Sequence, residues 1–408
     1  MNFDFFDNRR LKLQPKSKVQ TCTQCGMHVG KRHPIMEPYG KFKLGIMNIG
    51  EAPGEMEDLK GKPWQGRVGK LLYRTYGEFG IDLFEDCINM NSVLCRPLDK
   101  DGNNRKPTSK EIANCRRKVL NVIIQYKPKL IMLFGNAAIE SVIGYRWKSD
   151  LRTISRWRGL SIPDRDLGCW VYSTFHPSYA ERDDTGTVEV TWRKDIRRGL
   201  KLLDKPFPKF RNDEKRIIIT DDPDFLDDIK SPFSFDYETT GIKPQRKEHD
   251  ILCISICDSM KRSFVFKKPD KGTKMYTNYC KIMKDPHYKK IAQNLKYEDN
   301  WTREKFNTTV RGWLFDPMLA SHIIDNRPYF TGLKFQVYIN FGVIDYSSEV
   351  GKWMESIEIP KSGNSVNRLR EFVKTEDGWN KLMIYCGLDS LYEFWLYRKY
   401  APKMGIKL

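Results

Sequence analysis

Apolar and polar positions change rhythm in a regular way over the first half of the chain. KLGIMNIG (43–50) is an apolar run of strand length. GRVGKLLYRTYGEFG (66–80) spaces its apolar residues three and four apart and closes on glycine, which predicts a helix. CINMNSVL (87–94) predicts a strand, and SKEIANCRRKVLNVIIQY (109–126) a helix opened by a Ser-x-Glu start. KLIMLFG (129–135) and CWVYSTF (169–175) predict two more buried strands. Alternation of this kind predicts an α/β domain whose parallel sheet is covered on both faces. Ligands collect beyond the carboxyl ends of such strands, and the segments Gly50–Gly54, Asn91–Arg96 and His176–Ser178 all fall there.

The second half has a different pattern. RIIIT (216–220), PFSFDYETTG (232–241), ILCISIC (251–257) and RSFVFK (262–267) predict strands, and the remainder is mostly helical, ending in a long helix over 377–400. This predicts a small mixed sheet with helices around it. Between the halves, DKPFPKFRNDEK (204–215) combines prolines with charge, as a boundary does. The expected organisation is a first domain over 1–205, a linker over 206–215 and a second domain over 216–408.

Charge narrows the function. Lys and Arg number 71 against 52 Asp and Glu, a formal net charge of +19 that suits a polyanionic partner. No apolar run approaches the roughly 18 residues of a membrane span. The start, MNFDFFDNRRLKLQPK, lacks the basic-then-apolar pattern of a signal peptide. A cytoplasmic protein with no membrane partner is expected. The ten cysteines are scattered, so reduced thiols or metal ligands are expected rather than a disulfide framework. CTQC (22–25) by itself fits structural zinc, a cluster or plain thiols equally.

Chemistry in the second half starts at Asp236 and Glu238, two apart on a strand and so on one face. Tyr385 and Asp389 are four apart on a helix, again on one face. IAQNLKYED (291–299) adds Asn294 and the acids Glu298 and Asp299. Adjacent carboxylates repel unless cations sit between them, and two divalent ions about 4 Å apart serve in-line phosphodiester hydrolysis. FDYETTG, QNLKYE and YCGLDS, in this order, resemble the three exonuclease motifs of the DEDDy proofreading nucleases, the 3′→5′ exonuclease domain of family A DNA polymerases. FDPMLASHIIDN (315–326) is similar to the segment that follows the second motif there. The resemblance implies a ribonuclease H-like mixed-sheet domain. It implies Asp236, Glu238, Glu298 and Asp389 as ligands of two divalent cations, Mg²⁺ or Mn²⁺, with Tyr385 positioning the attacking water and Asn294 contacting substrate. Where the family has Asp in its second motif, this chain has Glu298 with Asp299 next; glutamate reaches one methylene further and still binds metal. Nineteen residues follow Asp389, far short of a polymerase domain, so a separate DNA polymerase chain is the expected partner.

GEAPGEMEDLKGKPWQGRVGKLL (50–72) sets Glu51, Glu55, Glu57 and Asp58 among glycines where a strand gives way to a loop. It closely resembles the first motif of the family 4 uracil-DNA glycosylases. NSVLCRPLDKDGNNRKPTSKEIANC (91–115), PKLIMLFGNAA (128–138) and FHPS (175–178) are similar to that family's later motifs. The resemblance implies a three-layer α/β glycosylase-like domain with a central parallel sheet. It implies Glu51 and His176 as catalytic groups, Glu57 and Asp58 as loop supports, Trp64 stacking on the base and Asn91 reading its edge. Cys22, Cys25, Cys95 and Cys115 align with the ligands of a 4Fe–4S cluster. After HPS the family continues apolar then basic, to wedge into a duplex; here the run is HPSYAERD, with Tyr179 as the wedge and acids behind it. Single-stranded DNA and 3′ ends are therefore the expected substrates. The whole resembles the N-terminal part of bacteriophage family A polymerases, which places it in host cytoplasm. The alternative is that only the exonuclease is catalytic and the first half binds DNA or senses uracil.

Overall fold

The computed structural model describes residues 22–147, 150–344, 346–356 and 365–408, in two compact units. Of the described residues, the first unit holds those from Cys22 to Phe210 together with Tyr338–Ile344; the second holds Arg211–Val337 and those after Ile344.

The first unit is built on a five-stranded sheet of β1 (Ile46–Gly50), β2 (Cys87–Asn91), β3 (Leu130–Phe134), β4 (Ser161–Asp164) and β5 (Cys169–Thr174), in the order β2-β1-β3-β5-β4. β2, β1, β3 and β5 run parallel, and every residue of these four strands is buried, which is why their sequences read as apolar runs without alternation. β4 is antiparallel at the edge; its short SIPD sequence gave no strand signal. The helices used below are α1 (Glu55–Lys60), α2 (Arg67–Gly77), α3 (Ser109–Tyr126), α4 (Pro177–Glu181) and α5 (Thr187–Leu200). α3 has the bounds read from sequence, with Thr108 as its cap: Glu111 accepts from the Thr108 N–H at 2.7 Å while its own N–H donates to Thr108 Oγ1 at 3.3 Å. The proline-rich stretch read as linker is anchored through Phe207, whose ring meets Trp170 at 5.8 Å.

The second unit carries a mixed sheet of β6 (Ile217–Ile219), β7 (Phe233–Thr239), β8 (Ile251–Ser259), β9 (Arg262–Lys267), β10 (Lys290–Ile291) and β11 (Trp313–Phe315), in the order β11-β10-β7-β8-β9-β6. β7, β8 and β9 are antiparallel neighbours, and β10 runs parallel to β7. The helices that matter here are α6 (Lys274–Lys284), α7 (Leu295–Phe306), α8 (Pro317–Ile324) and α9 (Glu376–Tyr400). α9 packs along β7, β8 and β9 and is buried almost all round, with Leu382, Leu388, Leu391 and Leu396 wholly or nearly inaccessible. A helix enclosed in this way has no polar stripe. α9 thus covers one face of these strands, and β7 carries Asp236 and Glu238. No helix among the described residues is long and apolar enough to cross a membrane.

Candidate functional sites

In the first unit the parallel strands converge on one edge. Gly50 ends β1 and is the register partner of Asn91, the last residue of β2. A Cβ on Gly50 would stand 2.5 Å from Asn91 Oδ1 and 2.9 Å from the Trp64 ring, so only glycine lets these two side chains meet the strand end. Ser92 Oγ donates to the Gly50 carbonyl at 2.6 Å and Val93 N–H to the Glu51 carbonyl at 3.1 Å, lacing the two loops together. Asn91 is 6% exposed and its amide makes no hydrogen bond among the described residues. Trp64 takes a left-handed φ of +60° and is 7% exposed. Its ring lies 5.6 Å from Phe134 and 5.7 Å from His176, and its indole N–H is buried without a partner. The ring is thus more enclosed than an open stacking platform.

The acids divide their work. Glu57 accepts from the backbone N–H of Gly54 at 3.1 Å, Gln65 at 2.8 Å and Gly66 at 2.9 Å, so one carboxylate holds the start of α1 against the start of α2. Asp58 accepts from His33 N–H at 3.1 Å and pins the N-terminal arm. Glu55 is exposed, 3.9 Å from Arg96. Glu51 points elsewhere: burial raises its pKa, while Lys106 and Arg182 act to lower it. Replacing Glu57 by Ala leaves three amides without their acceptor. The expected loss is about 1.5–3 kcal/mol, read as a fall of about 5 °C in melting temperature; an unchanged melt would show that the buckle carries no stability.

His176 caps α4. Its Nδ1 accepts from the Ser178 backbone N–H at 3.3 Å and lies 2.8 Å from Ser178 Oγ. A backbone N–H can only donate, so Nδ1 is an acceptor and the ring proton sits on Nε2. Burial, with Arg182 nearby, lowers the pKa to about 4, so the ring is neutral at neutral pH. Tyr179 is half exposed one turn along α4. The acids behind it are used within the fold. Glu181 pairs with Arg67 at 2.7 Å, and Asp183 accepts from Val188 N–H at 2.6 Å at the start of α5. Glu181 is thus charge-paired, whereas Asp183 is held by neutral donors that lower its pKa and keeps its negative charge at this edge.

Cys95 and Cys115 are buried, while Cys22 and Cys25 are partly exposed. All four are within electrostatic reach of one another: Cys115 is pushed up to about 11 by burial and by the other three thiols. The Ile35 N–H donates to Cys95 Sγ at 3.3 Å. No three of these sulfurs lie within 4.8 Å of one another. A single tetrahedral zinc, with Zn–S of about 2.3 Å, would hold all of them closer than that.

In the second unit Asp236, Glu238 and Cys386 each place a ligand atom within 4.8 Å of the others. Glu238, Tyr385 and Asp389 are all under 10% exposed. Burial first, then Asp389, pushes the Asp236 carboxyl well above the usual carboxylate range; burial and Asp236 do the same to Glu238. Glu298 comes into the same field, raised by burial and then by Asp236, and one of its oxygens is buried without a partner. Asp299 instead pairs with Arg303 at 2.8 Å one turn along α7. Of these two neighbours, Glu298 is the one that lies in the field of Asp236. Asn294 is exposed at the cap of α7, with its backbone N–H held by Asp316 at 3.1 Å. Asp316 also accepts from Met318 N–H at 2.8 Å, which ties α7 to α8.

Four further residues stand at this centre, three of them outside the motifs. Lys334 Nζ donates to Asp389 and lies 4.0 Å over the Tyr346 ring and 4.1 Å over the Tyr385 ring. Tyr346 O–H also donates to Asp389. Glu393, one turn beyond Asp389, is 1% exposed with neither oxygen in a hydrogen bond. Cys386 lies beside the carboxylates. Tyr385 keeps its phenolic proton, since burial and then Asp389 raise its pKa. A cleft of about 470 Å³ opens onto Asp236, Glu238, Tyr385 and Asp389, with Tyr297 and Asn367 on its walls.

Comparison with known proteins assigns a family to each half of the chain. The uracil DNA glycosylase superfamily matches residues 37–197, and a 3′-5′ exonuclease family matches residues 223–404. A type-4 uracil-DNA glycosylase of Thermotoga maritima is 34% identical over 188 residues, covering 46% of this chain and 92% of that one. Another, of Saccharolobus solfataricus, is 33% identical over 165 residues, covering 40% and 74%. Among solved structures, RNase D of Escherichia coli is 16% identical with a TM-score of 0.33 over 46% of this chain and 44% of that one, too slight a likeness to carry a conclusion. Through its first half the chain belongs to the type-4 uracil-DNA glycosylase family, and its second half is a 3′-5′ exonuclease domain fused to it.

Proposed function

We propose that the chain removes uracil from DNA with its first unit and degrades DNA from 3′ ends with its second. The observation that carries the first activity is the geometry of His176: a neutral ring with its proton on Nε2, at the same strand edge as Asn91 and Glu51. Asn91, whose amide is free, hydrogen-bonds the edge of the base. As the bond between the sugar and N1 breaks, its electron pair moves onto the uracil ring, and the His176 Nε2–H donates to the oxygen that gains negative charge. The sugar becomes positive, and the Glu51 carboxylate stabilises it. Water then adds to the sugar carbon, and its proton leaves to solvent. Trp64 places its ring beside His176, and the half-exposed Tyr179 follows on α4. Cys22, Cys25, Cys95 and Cys115, which lie within electrostatic reach of one another, would hold a 4Fe–4S cluster. The cluster's contribution is structural, since Cys22 and Cys25 lie on the arm that Asp58 pins.

For the second activity, Asp236, which is partly exposed, and the buried Glu238, Glu298 and Asp389 form an acidic set that suits Mg²⁺ or Mn²⁺. When bound, two such ions supply positive charge to the scissile phosphate and the attacking water. Tyr385, protonated and beside Asp389, orients that water, and Lys334 balances Asp389. The cleft past Tyr297 and Asn367 takes the terminal nucleotide. A proofreading role pairs this unit with a DNA polymerase on another chain, the setting of bacteriophage-type replication.

The test uses a labelled single-stranded oligonucleotide with one uracil, in EDTA, followed by hot alkali. Scission at the uracil is the expected result, and a 3′-end ladder appears when Mg²⁺ or Mn²⁺ is restored. An intact strand in EDTA would leave only the exonuclease catalytic and make the first unit a DNA-binding module.

A further inference from the structure

We propose that Cys386 makes the exonuclease centre a mixed carboxylate–thiolate site, one that binds soft or borderline divalent cations such as cadmium and zinc more tightly than the all-oxygen set would. The inference deepens the metal-dependent reading of the second unit and rests on it. Cys386 is fully buried on α9, next to Tyr385 and three residues before Asp389. Its sulfur lies 3.7 Å from the Asp236 carbonyl oxygen and 3.9 Å from Asp236 Oδ2, so the thiol faces the strand that carries both first-motif acids. Ligand atoms of Asp236, Glu238 and Cys386 already stand within 4.8 Å of one another. An ion with oxygen at about 2.1 Å and sulfur at about 2.3 Å would draw such a set together by roughly 1 Å. The unpartnered Glu298 oxygen faces the same charges from α7, and Lys334 holds Asp389 on the far side.

Magnesium selects oxygen donors and leaves a thiol protonated. Zinc and cadmium accept sulfur. On binding one of them the Cys386 S–H bond breaks, its proton goes to solvent, and a metal–sulfur bond forms with no change of oxidation state. The centre thereby distinguishes two classes of cation with the same carboxylates: one class leaves Cys386 a spectator, the other recruits it. Cys253 on β8 is the neighbouring thiol and the register partner of Glu238, but it is not part of the ligand group.

The experiment is a cadmium titration of the full protein, followed by the ultraviolet charge-transfer absorption of a sulfur–cadmium bond. Four cysteines of the first unit contribute equally in every variant, so the readout is the difference between proteins. Wild type and Cys253→Ala are expected to share a component that Cys386→Ala and Cys386→Ser both lack, with cadmium affinity at that site about 10-fold weaker or worse in the two variants. Circular dichroism checks that each variant is folded, and two substitutions of different size guard against one that is not. An unchanged spectrum in the folded Cys386 variants, or loss of the component in Cys253→Ala instead, overturns the proposal. The wild type is also assayed for 3′-end degradation with magnesium and with manganese. If neither supports cleavage but the cadmium component depends on Cys386, the nuclease reading fails and the thiolate site stands. If cleavage occurs and the component is absent, the nuclease stands and the thiolate site fails.

Discussion

Asp236→Asn is expected to lower metal-dependent 3′-end degradation by about 10³-fold or more while leaving base removal in EDTA unchanged. Asparagine keeps the size of the side chain and removes only the charge. Asp236 sits where Glu238, Glu298, Asp389 and Glu393 all feel its field, so it is the position from which one charge is shared most widely. Loss of several kcal/mol of cation and transition-state stabilisation corresponds to about that factor. The variant has a second, opposite signature. The Asp236 carboxyl is raised in the folded protein by burial and by Asp389, so its charge opposes folding when no cation is present. The folded state then holds a proton more tightly than the unfolded state, and metal-free stability increases as pH falls from the folded value towards the ordinary one near 4. Removing the charge gives the same gain at neutral pH. Asp236→Asn should therefore melt higher than wild type in EDTA and gain less from added Mn²⁺. A variant that still produces the ladder with Mn²⁺, or melts lower than wild type in EDTA, would sink this account of the centre.

That centre shows where local sequence signals stop. Asp236 and Glu238 were readable because a strand's period of two puts them on one face and FDYETTG is long enough to recognise. Glu298 was preferred over Asp299 from its place three residues after Leu295 in the motif, but the motif alone does not show how the two differ: neighbours on a helix point about 100° apart, and the packing of α7 turns Glu298 towards the field of Asp236. The Arg303 partner of Asp299, four residues on, was the available clue. Lys334, Tyr346, Cys386 and Glu393 act through positions that close only in three dimensions. α9 also hides its polar members, because a helix apolar on nearly every side has no stripe against which an odd Cys or Glu stands out. In the first unit the four parallel strands were legible for a related reason: burial on both faces leaves uninterrupted apolar runs. β4, β10 and β11, at two to four residues each, are too short for any period to show. The acids of the 50–58 loop were visible as a cluster, but their division was not. It takes the backbone trace to see that Glu57 faces three amides and Glu51 faces the strand edge.

His176→Ala is expected to reduce uracil removal by about 10²–10³-fold, the usual effect of deleting one preorganised donor to a developing oxyanion. The pH profile distinguishes this role from a structural one. A histidine acting as a cation would lose activity as pH rises through about 6.5. His176 is instead neutral down to about 4, because burial and the nearby Arg182 both disfavour a second positive charge. Wild-type base removal in EDTA should therefore show no loss of rate from about pH 5 to pH 8 that is attributable to this ring. His176→Gln, which keeps an N–H donor, should recover part of the rate that Ala loses. An activity step near pH 6.5 that vanishes in His176→Ala would mean that the imidazolium does the work. The Ser178 N–H to Nδ1 contact speaks against that, since a doubly protonated ring would turn two donors against each other at the start of α4. The same contact makes Ser178 a fixed point: the backbone amide, not its hydroxyl, sets the tautomer, so Ser178→Ala should leave the Nε2 proton in place and most of the rate intact.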